Sequence, residues 1–323
     1  MSTVLRTPLS SPMTWAADTL LEDDGLVALD TDCRAELDAV AAELEANPLP
    51  IETLSPDFFE MPACAATMQR VRTQVYDGIG FAIIDRLAVE RLSKQTATGL
   101  YWLLMSLVGR PVAQKWDGTM LYDVLDTGKK SGPGTGVRSS KTNGHQGYHT
   151  DNAFNLAPDC AALLCLQTAK SGGVSGLVSL ETVYNILLDE HPDLVPRLYE
   201  SVYWDRQMEH APEEARVSFQ PVFASDGERV LANYSPYLVL AGYHLRNEPP
   251  HPHTRAALDA LIEVPERDGL GKSFVFERGQ IQILNNRRIG HRRTAFEDWD
   301  EPERRRHLVR IWLRDAGRPF YHG

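Results

Sequence analysis

The feature that most constrains this chain is the texture of its last two thirds. From Lys115 onward the apolar residues come in short runs (TMLYDV, CAALLCLQTA, LVSL, RVLANY, SFVFE, IQILNN and LVRIWLR) separated by clusters of Gly, Pro, Asp and Asn. Runs this short fit strands rather than helices, and many short strands with turn residues between them must close on one another as a sandwich or barrel. Helical spacing interrupts them near Glu181 to Leu188 and Thr254 to Ile262. The expectation is an α+β chain, mainly β with helices, whose core is a jelly roll (a double-stranded β-helix).

The first third reads differently. Leu37, Val40, Ala41 and Leu44 recur at helical spacing, and Asn47 before Pro48 stops that helix. A second helix is predicted around Met68 to Val75 and a third over Val89 to Val108. Between them, GIGFAIIDRL at 78–87 predicts a short buried strand. One domain over 1–323 is expected: a helical layer over 1–110 and the jelly roll over 111–323. With 44 acidic against 33 basic residues the net charge is −11, which repels nucleic acid and anionic membrane surfaces. No apolar run is long enough to span a bilayer, and the N-terminus lacks the apolar stretch of a secretion signal. Cys33, Cys64, Cys160 and Cys165 show no CxxC spacing, so buried thiols in a reducing cytoplasm are expected.

Between the strand near Leu121 and His149 lies DTGKKSGPGTGVRSSKTNG, residues 126–144, rich in glycine and carrying Lys129, Lys130, Arg138 and Lys141. With almost nothing apolar it is expected not to pack, and it reads as a mobile lid or as a plain surface loop. The Gly-Lys-Ser/Thr ending of a phosphate-binding loop is absent.

The chemistry-bearing residues follow. GYHTDNAF places His149 and Asp151 at i and i+2 of a predicted strand, so imidazole and carboxylate would share one face. Alone, such a pair is as readily two hydrogen-bonded inward residues. IQILNNRRIGHRR adds His291 just after another strand; by itself it is a surface histidine in an arginine-rich turn. Together, two histidines and one carboxylate make a facial triad that binds iron(II) and leaves coordination positions open for oxygen chemistry. Downstream, RRRHLVR offers Arg306 and Arg310, either of which can clamp the far carboxylate of a dicarboxylic cosubstrate, unless they form a solvated face with Glu301 and Glu303.

In this order and spacing, HTD, NNRRIGHRRTAF and RRHLVR resemble the taurine dioxygenase and dichlorophenoxyacetate dioxygenase family of 2-oxoglutarate enzymes, over roughly residues 78 to 315. The resemblance implies a cupin-like core with Fe(II) on His149, Asp151 and His291, 2-oxoglutarate as cosubstrate and dioxygen as oxidant. The expected product is a hydroxylated small molecule, with succinate and carbon dioxide released. It assigns the distal cosubstrate carboxylate to Arg310 first and Arg306 second, with Ser175 of AKSGGVSG standing where the family carries threonine. It also hints at a homo-oligomer.

Lys141, Arg138, Arg292 and Arg293 would suit a carboxylate-bearing or zwitterionic substrate, unless they are solvated or paired with Glu297 and Asp298. Two rival readings use the same residues: a zinc hydrolase, which has no need of Arg310, and a metal-free small-molecule binding protein. His251 and His253 read as exposed, and His145 at most as lining a pocket.

Overall fold

The long strands hardly alternate between buried and exposed side chains. Phe81–Asp85, Cys160–Gln167, Ile281–Asn285 and His307–Arg314 are buried almost throughout, so the sheet they form must be covered on both faces. In the computed structural model, which describes residues 3–321, they are the centre of a seven-stranded sheet. Its order is Leu26–Ala28, Phe81–Asp85, Ile281–Asn285, Cys160–Gln167, His307–Arg314, Arg110–Val112, with Tyr122–Val124 also paired to His307–Arg314. The first pair is parallel and the others antiparallel.

Period-two geometry then sorts the side chains. Ala82, Ile84, Leu164, Ile283, Val309, Ile311 and Leu313 pack against the helical layer of α1 (Thr31–Ala46), α2 (Pro62–Tyr76) and α3 (Lys94–Val108). Phe81, Ala161, Leu284 and Trp312 point the other way, toward Leu177 and Ile289 of a second sheet. That four-stranded sheet runs Lys272–Phe274, Ser175–Ser179, Ile289–Arg293, Gln146–His149, all antiparallel. Two sheets facing each other, with helices behind the larger one, make the expected double-stranded β-helix.

The sequence expectations hold with shifted ends. The helix buries Leu37, Val40, Ala41 and Leu44 as predicted and stops at Asn47. α2 starts earlier than predicted because Pro62 occupies its first turn, where a missing N–H costs nothing. α3 starts later, at Lys94, where the Ser93 side chain caps the Thr96 N–H. Beyond the small sheet lie α4 (Leu180–Glu190), α5 (Pro236–Arg246) and α6 (Pro252–Glu263), with a hairpin of Ser201–Asp205 and Val217–Pro221 under α5. No described helix is long and apolar enough to cross a membrane.

The N-terminal segment is sewn onto α4. Leu9 exchanges two hydrogen bonds with the Asn185 amide, at 2.7 and 2.9 Å, and Thr182 Oγ1 donates to the Trp15 carbonyl. Buried Glu181 accepts from Ser11 Oγ (2.6 Å), Thr14 Oγ1 (2.8 Å) and Arg288 Nε (2.7 Å).

Candidate active site

His149 ends its strand, and in the antiparallel ladder it lies directly opposite His291. The two rings sit 4.1 Å apart between centroids, so His291 belongs to a strand rather than to a surface turn. Asp151 does not continue the first strand as the sequence reading had it. The strand stops at His149, and Asp151 opens a turn. The chain bends here: Thr150 exchanges hydrogen bonds with Tyr234, and Asn152 takes up a left-handed conformation at φ 54°. Asn286, in the turn between Ile281–Asn285 and Ile289–Arg293, clamps the Asp151 main chain, accepting from its N–H (2.7 Å) and donating to its carbonyl (2.9 Å).

The three side chains converge all the same. The His149 and His291 Nε2 atoms lie 3.7 and 3.9 Å from Asp151 Oδ1, and the three potential ligand atoms lie within 4.8 Å of one another. His149 Nδ1 is 3.0 Å from the Gly147 carbonyl, which requires the proton on Nδ1 and leaves the Nε2 lone pair free for a metal. The Gln146 amide rests on that lone pair at 2.9 Å, a neutral stand-in that a metal would displace.

The electrostatics favour the metal-ready state. Burial lowers both imidazoles, and for His291, with His149 beside it, to about 3, so both are neutral near pH 7. Burial alone would raise the Asp151 carboxyl, but Arg310, the two imidazoles and the Trp312 N–H outweigh it and hold the group at about 2. Arg310 Nη1 donates to Oδ1 at 3.0 Å and Trp312 Nε1 to Oδ2 at 2.7 Å. Gln114 anchors Arg310 from behind, accepting from Nε at 2.7 Å. Sequence reasoning missed Trp312, Gln114, Asn286 and Gln146. For Trp312 a signal existed: it stands two residues after Arg310 on one strand, hence on the same face.

Two cavities meet at the triad. An inner one of about 40 Å³ is lined by Ser175, Leu163, Gln282, Arg293, Arg306 and Arg310, among others. An outer cleft of about 240 Å³ is lined by Arg138, His145, Phe154, Tyr237, Leu238 and Trp312, among others. His149, Gln146 and Arg310 border both. Arg306 and Arg310 are buried, yet Arg306 Nη1 and Arg310 Nη2 have no hydrogen-bond partner. Burial without a partner holds the Arg306 guanidinium down at about 10. An unpaired buried guanidinium N–H costs free energy that a carboxylate would recover. Gly173, beside Arg306, takes a left-handed conformation, φ 66°, that favours glycine.

Segment 126–144 packs more than its composition led us to expect. Arg138, Ser140 and Thr142 are buried, and Arg138 pairs with Glu209 at 2.9 Å where both are nearly enclosed. Gly134 N–H donates to Asp205. Charge pairing, rather than apolar contact, supplies the anchorage. The other cations are largely engaged. Arg292 pairs with Glu266, rather than with Glu297 or Asp298, and Lys141 donates to the Asp123 carbonyl. Arg293 donates to the Thr142 carbonyl at 2.9 Å and to that of Gly144, tying the segment to the His291 strand. His145 lines the outer cleft, and His251 caps α6 at the surface.

Two imidazoles and a carboxylate at the mouth of a double-stranded β-helix, backed by two buried arginines with N–H groups to spare, define a mononuclear metal-dependent oxygenase. The chain belongs to the taurine catabolism dioxygenase TauD, TfdA family, whose profile matches residues 50–312. The expected class, a 2-oxoglutarate-dependent dioxygenase using Fe(II) and dioxygen, is thereby borne out. The chain is 28% identical to the taurine hydroxylase-like protein SAT17 of Stachybotrys chartarum, over 94% of this chain and 79% of that one. It is 27% identical to FR-33289 synthase of Streptomyces rubellomurinus, over 99% and 94% of the two chains. Among solved structures it is similar to asparagine oxygenase in complex with Fe(II), 3-hydroxyasparagine and succinate (TM-score 0.64, 17% identity, 90% and 93% of the two chains). The non-heme iron oxygenase OrfP in complex with Fe and alpha-ketoglutaric acid is similar to the same degree (TM-score 0.65, 17% identity, 90% and 94%).

Proposed function

We propose that this protein hydroxylates an unactivated C–H of a small carboxylate-bearing or zwitterionic molecule of amino-acid size, with His149, Asp151 and His291 holding Fe(II). The observation that carries the proposal is the pair of cavities meeting at the triad, the inner one furnished with two buried arginines that each keep an N–H group without a partner, Arg306 Nη1 and Arg310 Nη2. Bound iron with 2-oxoglutarate and dioxygen would supply the oxidising chemistry, with succinate and carbon dioxide as coproducts.

The chain's own residues divide the remaining work. Gly147 sets the His149 tautomer, while Trp312 and Arg310 fix the two oxygens of Asp151. Arg306 with Ser175 takes the distal carboxylate of the cosubstrate. This reverses the preference for Arg310 drawn from the motif. Arg310 already bonds a metal ligand, too near the metal for a carboxylate that points away from it, whereas Arg306 lines only the inner cavity.

Arg310 Nη2, Arg138 Nε and Ser140 Oγ, on residues that line the outer cleft, are donors without a partner and can serve an anionic group of the substrate. Once Asp151 shares its charge with a divalent metal, the positive charge of Arg310 and Arg138 is only partly matched, by Glu209. Segment 126–144 acts as the lid of that cleft, its second half already in place. The hydroxyasparagine and hydroxyarginine bound in the similar structures support the size class.

The test is anaerobic addition of Fe(II) and then 2-oxoglutarate to the metal-free protein, followed by visible absorption. A weak charge-transfer band in the wild type and none in His149→Ala is expected, after which succinate release across a panel of amino acids and small anions identifies the substrate. No band in the wild type, or an undiminished band in His149→Ala, would overturn the assignment of the metal to His149, Asp151 and His291.

A further inference from the structure

Far from the metal site, the first turns of α1 and α2 bring two sulfur atoms together. Cys33 follows the Asp30 cap of α1, and its N–H donates to the Asp30 carboxylate at 2.9 Å. Cys64 stands in the first turn of α2, next to Ala63. Both N–H groups donate at 2.8 Å to the carboxylate of Glu36 on α1, so that Glu36 locks the start of one helix onto the side of the other. The Cys33 and Cys64 Sγ atoms are 2.8 Å apart and both residues are wholly buried. That separation lies inside ordinary van der Waals contact of two sulfurs and within about 1 Å of a covalent bond, whose length is about 2.0 Å.

The setting favours thiolate chemistry. Two helix N-termini, of helices of 16 and 15 residues, present partial positive charge to the pair. The Cys64 S–H pulls the Cys33 thiol below its ordinary value, and the same contact pushes Cys64 up, the pattern of two sulfurs sharing one proton. Burial and the nearby carboxylates of Asp30 and Glu36 oppose this, and for Cys33 the contact with Cys64 outweighs them. The other two cysteines differ: Cys160 and Cys165 lie on one strand five positions apart, facing opposite sides of the sheet.

We propose that Cys33 and Cys64 form a disulfide that cross-links α1 to α2 when the chain meets a disulfide oxidant such as oxidised glutathione, and that they remain a dithiol under reducing conditions. The Cys33 thiolate attacks one glutathione sulfur, the glutathione S–S bond breaks, and one reduced glutathione leaves. Cys64, losing its proton, then attacks the mixed disulfide at Cys33 Sγ, the Cys33–Cys64 bond forms, and the second reduced glutathione leaves. Two thiols are oxidised by two electrons, the oxidant is reduced by two, and the two protons end on the two glutathiones. Because both residues are buried, the first exchange requires the α1–α2 contact to open or to be still forming.

The experiment uses the full chain, reduced, then unfolded and refolded across a series of glutathione redox ratios, trapped with N-ethylmaleimide in guanidinium and mapped by peptide mass. A cross-linked Cys33–Cys64 peptide, two mass units lighter than the two thiols, with maleimide only on Cys160 and Cys165, is expected. The oxidised protein should also melt several degrees higher than the same sample after dithiothreitol. In Cys33→Ser, Cys64 should carry maleimide or a trapped glutathione, and the melting difference should vanish. Maleimide on all four cysteines of wild type at every redox ratio would overturn the proposal, as would Cys33–Cys64 linkage no more frequent than any pairing with Cys160 or Cys165.

Discussion

Replacing Trp312 by Phe tests whether the triad depends on the residues behind it. The indole N–H donates at 2.7 Å to Asp151 Oδ2, leaving Oδ1 toward the two imidazoles. In this buried place the lost bond to an ionised carboxylate costs about 1.5–3 kcal/mol, and the space left by the smaller ring about 1–3 kcal/mol more. Arg310 still holds Oδ1, so the carboxylate remains charged, but nothing then prevents it from swinging about that single contact. Metal affinity should fall about 10- to 100-fold, the usual effect of removing a partner of a metal ligand, which corresponds to about 1.4–2.8 kcal/mol. Anaerobic calorimetric titration of the folded variant with Fe(II), beside its thermal unfolding, separates the two losses. An Fe(II) dissociation constant within twofold of wild type, in a variant that is destabilised as expected, would refute the idea that Trp312 orients Asp151.

Arg306→Ala should raise the 2-oxoglutarate concentration needed for half-maximal charge-transfer absorbance by about 30- to 150-fold, the loss of about 2–3 kcal/mol, with the Fe(II) constant nearly unchanged. Arg310→Ala should weaken both, since it touches Asp151. The metal-free protein should lose stability as pH falls. His291 is neutral when folded down to about 3 but takes a proton near 6.5 when unfolded, so the unfolded state binds more protons in that window and stability falls by up to about 1.4 kcal/mol per pH unit between them. Urea unfolding from pH 7.5 to 4.5 should show this slope, and His291→Asn should flatten it. Arg293→Ala removes the donors to the Thr142 and Gly144 carbonyls; proteolytic cleavage within 126–144 should quicken while the Fe(II) constant changes less than threefold.

Much of the site was legible because its chemistry is tied to side-chain type. His149, Asp151 and His291 announced themselves as donors a metal needs, and the RRHLVR motif brought Arg306 and Arg310 into view as carboxylate clamps. What the sequence did not reveal was set by tertiary contact. Nothing local says that the strand ends at His149, because the Thr150–Tyr234 and Asp151–Asn286 bonds that bend the chain join residues far apart in sequence. The glycine-rich segment looked unable to pack because its anchors, Glu209 and Asp205, lie some seventy residues away. α5 went unseen as well: SPYLVLAGYHLR mixes aromatic and branched residues that suit a strand equally, although Pro236 after Ser235 marked a helix start. The proposed preference for Arg306 over Arg310 rests on the two cavities, which no one-dimensional spacing contains.

The stitching of the N-terminal segment to α4 bears on how the protein should be handled at the bench. The family match begins at residue 50, and a shortened chain cut there would look complete by sequence comparison. It would lack Ser11 and Thr14, leaving buried Glu181 with Arg288 as its remaining partner, and it would leave Asn185 without the Leu9 main chain. Trimming to the family boundary is therefore expected to yield aggregated protein. Leu9 through Trp15 belong in any recombinant version meant to be folded.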